Sequence, residues 1–122
     1  LQELDQDVES PAFVIQTSGM DQRLKSSIEM ALYSIVNECV TNVLKHADAT
    51  QVDIQLNRNK KNELTLIIED DGKGFDPSKP NTEGKGLTNL TTRVREHLRG
   101  ELIIDSAPGK GTVIMVKIKL KE

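Results

Sequence analysis

The chain has 122 residues, 36% of them apolar and 29% charged, which suits one globular domain with a single core. A net charge of -3 gives no reason to expect nucleic acid or an anionic membrane as a partner. No apolar run reaches the ~20 residues that cross a bilayer, and no signal-peptide pattern is present. The aromatic residues are Phe13, Tyr33 and Phe75, so the core must be aliphatic. The lone Cys39 cannot form an internal disulfide, which is compatible with a reducing compartment.

Five segments have the apolar alternation or apolar runs that predict β-strands. They are residues 13–17, 52–57, 64–69, 102–104 and 113–120. A polar turn at residues 57–62 predicts a hairpin between the second and third strands. The first strand is separated from the second by a long amphipathic segment.

Two amphipathic helices complete the predicted elements. The first is capped by Asp21 and runs to about Ala47, and the second extends from Leu87 to Gly100, a residue suited to end it. Residues 71–86 between them are rich in Gly, Pro and Asn, and they predict a long loop of the functional or mobile kind. The order of elements predicts an α/β two-layer sandwich, a mixed sheet of about five strands covered on one face by helices.

The end of the first predicted helix carries an unusual polar strip. At 100° per residue, Glu38, Asn42 and Lys45 share one narrow strip beside the apolar stripe, and His46 follows. An amide oxygen suits Mg²⁺, which keeps most of its waters and takes few protein ligands. A lysine can neutralise a phosphate, and a glutamate can hold a metal-bound water or act as a base. For any one of these residues, an ordinary solvated helix face is the more common explanation.

Strand parity separates two adjacent aspartates after the third strand. Asp70 continues the parity of the inward residues of that strand and Asp71 does not. A buried carboxylate needs a donor, either from neighbouring amides in a turn or from the amino group of a ligand. The strand alone favours neither alternative. Gly72 and Gly74 follow directly, and they permit close approach of the backbone to a flat ring.

Two further glycine motifs occur near the C-terminus. Gly84-Lys-Gly86-Leu87 leads into the second predicted helix, where free amides attract phosphate, although glycine-rich turns before helices are common. Thr112 follows Gly111 and shares the parity of the inward residues of the last strand. Its hydroxyl therefore faces inward, bonding to backbone or reaching a ligand. The P-loop and protein-kinase motifs are absent, as is metal-binding Cys/His spacing.

In this order, the motifs resemble the N box and the three glycine boxes of the GHKL ATPases. The matching residues are Glu38-x-x-x-Asn42-x-x-Lys45-His46, Asp70-x-Gly72-x-Gly74, Gly84-x-Gly86-Leu87 and Gly109-x-Gly111-Thr112. The superfamily includes DNA gyrase and the catalytic domains of sensor histidine kinases, and the resemblance spans residues from about 12 to 120. Asn37-Glu38 within the first motif and Gly86-Leu-x-Asn-Leu-x-x-Arg93 look most like the NarL/DesK type of two-component sensor kinase.

The resemblance implies the Bergerat ATP-binding fold and a place for the adenine. Asp70 would receive the adenine amino group and Thr112 would help hold the adenine edge. Gly72 and Gly74 would belong to the same ATP-binding loop. None of these roles follows from spacing alone, since each is carried over from the family.

The resemblance also implies a place for the phosphates and a Mg²⁺ ion. Asn42 would bind the metal, and Lys45 and His46 would belong to the phosphate side of the site. The loop of Gly84, Gly86 and Leu87 would close over the phosphates. Glu38 would orient the water shell of the metal or act as a base, and both alternatives stay open.

By the same resemblance, the chain is expected to be the catalytic ATP-binding domain of a histidine kinase. The acceptor His-Asp pair of the family is missing from these residues, so the γ-phosphate would pass to a histidine on a separate dimerisation domain. We expect residues 1–11 to be a linker from that domain and residues 12–122 to be the catalytic domain. A response regulator would be the further partner. We expect a monomer in the cytoplasm without membrane contact of its own, and a parent protein that is either soluble or anchored in the membrane. The alternatives are an anti-sigma-factor-type serine kinase and a non-catalytic docking module.

Overall fold

The computed structural model describes residues 11–74 and 84–120, except for the side chains of residues 46–47 and 84–89. It contains five strands, two α-helices and one π-helical turn. In chain order they are β1 (Ala12–Ser18), α1 (Ser26–Asn42), a π-helical turn (Val43–Ala47), β2 (Gln51–Arg58), β3 (Glu63–Asp70), α2 (Gly84–His97), β4 (Glu101–Ser106) and β5 (Thr112–Lys119). The predicted two-layer α/β sandwich with a five-stranded mixed sheet is confirmed. The linker predicted at residues 1–11 and most of the loop predicted at residues 71–86 lie outside the described residues.

The sheet has the order β1-β2-β3-β5-β4. The polar turn at residues 59–62 joins β2 and β3 into an antiparallel hairpin, as predicted, and β4 and β5 form a second antiparallel pair. β1 runs parallel to β2 because α1 carries the chain back across the sheet between them. As a result, the end of β3 and the beginning of β5 lie side by side, with Asp70 opposite Thr112.

The core lies between the helices and one face of the sheet, and its buried residues are aliphatic apart from one thiol, as predicted. The sheet contributes alternate residues of β2, β3 and β5, and the helices contribute one stripe each. These residues are Val52, Ile54, Leu64, Leu66, Ile68, Ile114, Val116 and Ile118 from the strands, and Leu32, Ile35, Cys39, Leu90 and Val94 from the helices, with Val43 and Leu98 directly after the two helices. Within residues 11–74 and 84–120, no helix combines the length and apolar character needed to span a bilayer.

The predicted start of the first helix is wrong by four residues. The helix begins at Ser26, its N-cap position is Lys25, and no side chain caps it. Asp21 lies too far from the first turn to reach its free amides. Met20 and Leu24 pack against the core from the intervening segment, which therefore stays non-helical and delays the helix. Asp21 was predicted as the cap because a polar residue there precedes the apolar stripe. That pattern does not take into account the packing of Met20 and Leu24 on the core.

α2 ends at His97, three residues before Gly100, the residue predicted to end it. Arg99, rather than Gly100, has the left-handed conformation, with φ of 51°, and the amide of Gly100 donates to Val94 O at 3.1 Å. Glycine is still required at position 100 for a different reason, close approach to β5. A Cβ atom there would lie 2.7 Å from Lys117 O.

Candidate functional site

Asp70 closes the inward row of β3. It follows Leu64, Leu66 and Ile68 on the core face, as the parity predicts, and only 8% of its surface is exposed. Among the described residues it is the one charged side chain that is buried. Its position at the end of an apolar row, on the edge of the core, places a carboxylate where the helical layer ends.

The Asp70 carboxylate keeps one oxygen free of described protein partners. Its Oδ1 accepts a hydrogen bond from the amide of Gly72 at 2.8 Å, and within the described residues no other group donates to it. Burial raises the pKa of Asp70, an effect that the Gly72 amide partly opposes and that the neighbouring charges of Asp71 and Glu69 reinforce. The turn therefore satisfies one oxygen only. The other can accept a hydrogen bond from a ligand.

Asp71 has a different, structural role. Its Oδ1 accepts hydrogen bonds from the amides of Thr50 and Gln51 at 2.8 and 3.0 Å, and its Oδ2 accepts one from the Thr50 hydroxyl. The hydroxyl bond is the largest cause of the lowered pKa of Asp71. Asp71 thus fixes the beginning of β2 to the end of β3, while Asp70 faces the core. Strand parity thus predicted correctly that Asp70 faces the core and that Asp71 does not.

Two glycine-containing segments hold the backbone around Asp70. Gly74 and Gly111 have φ of 64° and 76°, values that favour glycine. A Cβ at Gly111 would lie 2.3 Å from Asp70 O, and a Cβ at Gly74 would lie 2.2 Å from Ala107 O. The amide of Gly109 also donates to Lys73 O. Residues 71–74 are therefore locked against the turn between β4 and β5.

Thr112 lies beside Asp70 in the register of β3 and β5, partly buried and with the inward parity that was predicted. Its hydroxyl is 2.9 Å from the hydroxyl of Ser106, which donates to Gly111 O at 2.9 Å. Because the single Ser106 proton is used there, Thr112 donates to Ser106 and keeps its lone pairs for another donor. Ser106 was missed in the sequence. Its parity with Leu102 and Ile104, which are also partly buried, is the signal that could have indicated its inward direction.

The N-box residues occupy the end of α1 and the turn after it. Glu38 and Asn42 are partly buried and one helical turn apart, as predicted. Lys45 is exposed and belongs to the π-helical turn, where the 100° per residue used to predict its strip does not apply. Its place on one strip with Glu38 and Asn42 stays a prediction. His46 has a described backbone in the same turn, but its side chain lies outside the described residues.

Cys39 shows that α1 and Asp70 share one side of the sheet. It is buried on α1, and burial raises its pKa to about 12, with the charges of Glu38 and Asp70 adding to the effect and that of Arg93 opposing it. The thiol therefore lies near charges from α1, β3 and α2 together. Within the described residues, the side chains of Glu38 and Asn42 have no hydrogen-bond or ion-pair partner. Such free polar groups at the edge of a core suit a ligand.

The second glycine motif differs from its prediction. α2 begins at Gly84, so Gly84, Gly86 and Leu87 form its first turn instead of a loop before it. The first four amides of a helix have no partner inside the helix, so the motif retains the free donors that attract phosphate. The side chain of Leu87 lies outside the described residues. α2 packs on α1, which brings these amides to the helical layer that also holds Asn42.

These features define an α/β sandwich with a polar site between its helical layer and the end of β3. Residues 27–122 match the family described as histidine kinase-, DNA gyrase B-, and HSP90-like ATPases. The chain belongs to this family, and it is an ATP-binding domain of the type found in histidine kinases.

Similar proteins agree with this assignment. The chain is 34% identical over 102 residues to the signal transduction histidine-protein kinase/phosphatase DegS of Brevibacillus brevis, covering 84% of the chain and 26% of that protein. It is 37% identical over 116 residues to an uncharacterized sensor-like histidine kinase of Chloroflexus aurantiacus, and this match covers 90% of the chain and 19% of that protein. The chain thus spans about a quarter or less of these relatives.

Solved structures show the same fold. The histidine kinase domain of the blue-light activated histidine kinase from Erythrobacter litoralis superimposes with a TM-score of 0.64 at 23% identity. The match covers 98% of this chain and 57% of the other. At this identity the likeness is one of fold alone.

Proposed function

We propose that the chain is the catalytic domain of a sensor histidine kinase. It would hold Mg-ATP so that the γ-phosphate passes to a histidine on a separate dimerisation domain. The observation that carries the proposal is Asp70, a buried carboxylate with one oxygen that no described residue bonds to, held by glycine loops in a chain of this ATPase family. By the same proposal, residues 1–11 are the linker and residues 12–122 the catalytic domain. The domain works in the cytoplasm, and a response regulator receives the phosphoryl group.

The adenine end of the proposed site follows from the residues around Asp70. The free carboxylate oxygen accepts a hydrogen bond from the exocyclic amino group, an interaction stronger than a neutral hydrogen bond because the acceptor is charged. Thr112 offers lone pairs beside it. Gly72 and Gly74 keep side chains out of the loop that adjoins Asp70. Together these groups distinguish adenine, which has an amino donor at this edge, from guanine, which has a carbonyl oxygen.

The phosphate end of the proposed site uses α1 and the beginning of α2. Asn42, whose side chain has no partner among the described residues, would offer its amide oxygen to Mg²⁺, and the ion, when bound, neutralises charge on the phosphates. No group of three or more His, Cys, Asp or Glu side chains in the described residues could hold a metal by itself. A site that offers the ion one amide oxygen therefore binds it together with the nucleotide, whose phosphates supply further ligands. Glu38 would orient the water shell of the ion or take a proton, Lys45 would supply positive charge, and Gly84–Leu87 would supply amides.

The Asn42 side chain should determine how strongly Mg²⁺ improves ATP binding. In calorimetric titrations of ATP with and without Mg²⁺, we expect Asn42→Ala to reduce the Mg²⁺-dependent gain in affinity by about tenfold, or about 1.4 kcal/mol. Affinity without Mg²⁺ should change little, because the adenine contacts remain. Asn37→Ala is the matched control, since Asn37 is exposed on the other side of α1. An equal Mg²⁺ effect in the parent chain and Asn42→Ala contradicts the metal assignment.

The phosphorylated product separates the kinase alternatives. The domain is mixed with Mg-ATP and the dimerisation domain of its parent, and the label on the product is tested in acid. A phosphohistidine is lost in acid, whereas a phosphoserine is retained and would indicate the anti-sigma-factor type. ATP binding without any transfer, or no ATP binding at all, would move the docking-module alternative forward.

A further inference from the structure

A row of three polar side chains crosses the sheet at the end that holds Asp70. Asp70 of β3 lies opposite Thr112 of β5, and Thr112 lies opposite Ser106 of β4. Directly opposite residues of antiparallel strands stand on the same face of a sheet, with their Cβ atoms about 5 Å apart. Ser106 is therefore one strand further from Asp70, and Thr112 lies between the two.

The hydroxyl of Ser106 determines which way the Thr112 proton points. Ser106 Oγ donates to Gly111 O at 2.9 Å, and a backbone carbonyl is an acceptor only. A hydroxyl has one proton, so at the 2.9 Å contact between the two hydroxyls Ser106 accepts and Thr112 donates. With its proton used in this way, the Thr112 hydroxyl has only lone pairs to offer to a ligand.

We propose that Ser106 is a positioning residue that makes Thr112 a hydrogen-bond acceptor, so that the site rejects purines with an oxygen at C6. The inference rests on the proposed function, because it requires the base to lie at Asp70 and Thr112. The site then presents a carboxylate oxygen and a hydroxyl oxygen, both of them acceptors, to that edge of the base. The amino group of adenine donates to such acceptors. A carbonyl oxygen at C6 meets lone pairs with lone pairs and leaves buried polar groups without partners, which is unfavourable.

Thr112 does not have this direction without Ser106. Its hydroxyl rotates about the Cβ–Oγ bond, and it donates wherever an acceptor is available. Once released from Ser106, the proton can be given to a carbonyl oxygen at C6, so Thr112 no longer opposes such a base. The ionised Asp70 carboxylate still opposes it, because it has no proton to donate. Ser106 thus controls the part of the selectivity that Thr112 supplies.

Calorimetric titrations with Mg-ATP and with the Mg²⁺ complex of inosine triphosphate test the proposal. Inosine triphosphate has a carbonyl oxygen at C6 where ATP has the amino group. We expect Ser106→Ala to raise the affinity for inosine triphosphate by about threefold to tenfold, the worth of one neutral hydrogen bond. ATP affinity should fall by about threefold or less, because Thr112 can still accept. A purely structural defect would weaken the binding of both nucleotides, so a gain for one of them indicates positioning.

Further variants connect the effect to the Thr112 hydroxyl. In a Thr112→Val background, Ser106→Ala should leave the ratio of the two affinities unchanged, because the group that Ser106 positions is gone. Ser106→Thr keeps a hydroxyl and should retain the parent ratio. Ser18→Ala is the matched control, since it removes a strand hydroxyl bonded to Asn57 at the far end of the sheet. Ser106→Cys, whose thiol bonds weakly, should shift the ratio in the same direction and serves if Ser106→Ala is poorly folded.

An unchanged ratio in both Ser106→Ala and Ser106→Cys overturns the proposal, including the case in which both nucleotides bind more weakly by the same factor. A shift that persists in the Thr112→Val background also overturns it, because Ser106 would then act by another route. The parent chain keeps this inference separate from the proposed function. ATP binding by the parent chain with a ratio indifferent to Ser106 contradicts the positioning alone, whereas no ATP binding contradicts both.

Discussion

Replacing Asp70 with asparagine will reduce the affinity for ATP by about 10- to 150-fold, the equivalent of the ~1.5–3 kcal/mol assigned to a charge-assisted hydrogen bond. The reason is the number of acceptors. The carboxylate has one oxygen for the Gly72 amide and one for the adenine amino group. Asparagine has one oxygen, and if Gly72 keeps it, the side-chain amino group faces the adenine amino group, donor against donor. Calorimetric titration of Mg-ATP measures the effect.

The adjacent Asp71 supplies the control for this substitution. It is exposed and bonded to Thr50 and Gln51, so Asp71→Asn should lower the thermal midpoint and leave ATP affinity nearly unchanged. Asp70→Asn should fold at least as well as the parent chain, because it removes a charge whose burial is unfavourable. Equal ATP affinity in Asp70→Asn and the parent chain would falsify the adenine assignment.

The same carboxylate predicts a pH dependence of ATP binding. Burial raises the pKa of Asp70, and the ionised form is the acceptor that adenine requires. As pH falls through that raised pKa, protonation should lower ATP affinity, approaching about tenfold for each pH unit below it. The stability effect has the opposite sign: the folded chain binds this proton more tightly than the unfolded chain, so protonation favours folding. Titrations of Asp70→Asn over the same pH range serve as the reference for protonation of the ATP phosphates, which affects both proteins equally. The difference in ATP affinity between the parent chain and Asp70→Asn should vanish at low pH.

The parts of the site that were predictable depend on short-range periodicity. The inward direction of Asp70 follows from alternation along β3, because a strand has no freedom to change which face a residue occupies. Glu38 and Asn42 follow in the same way from the regular turn of α1. Both predictions use neighbours a few residues away, and the structure agrees with both.

The parts that were missed depend on contacts between distant segments. Ser106 joins Thr112 because β4 pairs with β5 in a particular register, which no pattern in either strand specifies. The π-helical turn that contains Lys45 was also missed, because a fixed angle of 100° per residue does not anticipate a change of helix type. The start of α1 depends on how the preceding segment packs on the core. Pairing and packing of this kind must be read from the structure.

Gly111 is a position where such a distant contact should have a large effect on stability. Gly111→Ala introduces a Cβ atom 2.3 Å from Asp70 O, a backbone atom within the β3–β5 pairing that cannot move alone. We expect a loss of about 2–4 kcal/mol in the free energy of unfolding, from the left-handed conformation and the steric conflict together. ATP affinity should also fall, because relief of the conflict displaces Asp70 or Thr112.

Gly109 provides a control for the steric part of this prediction. Its φ of 79° resembles the 76° of Gly111, but a Cβ atom there would meet nothing within 4 Å. Gly109→Ala should therefore lose only the conformational contribution, about 1 kcal/mol, and retain ATP affinity. Urea unfolding and calorimetric titration of both variants separate the two terms. Equal losses would mean that backbone conformation alone selects glycine at both positions. A larger loss at Gly111, accompanied by weaker ATP binding, would mean that the close approach of β5 to β3 holds the Asp70 carboxylate in place for the nucleotide.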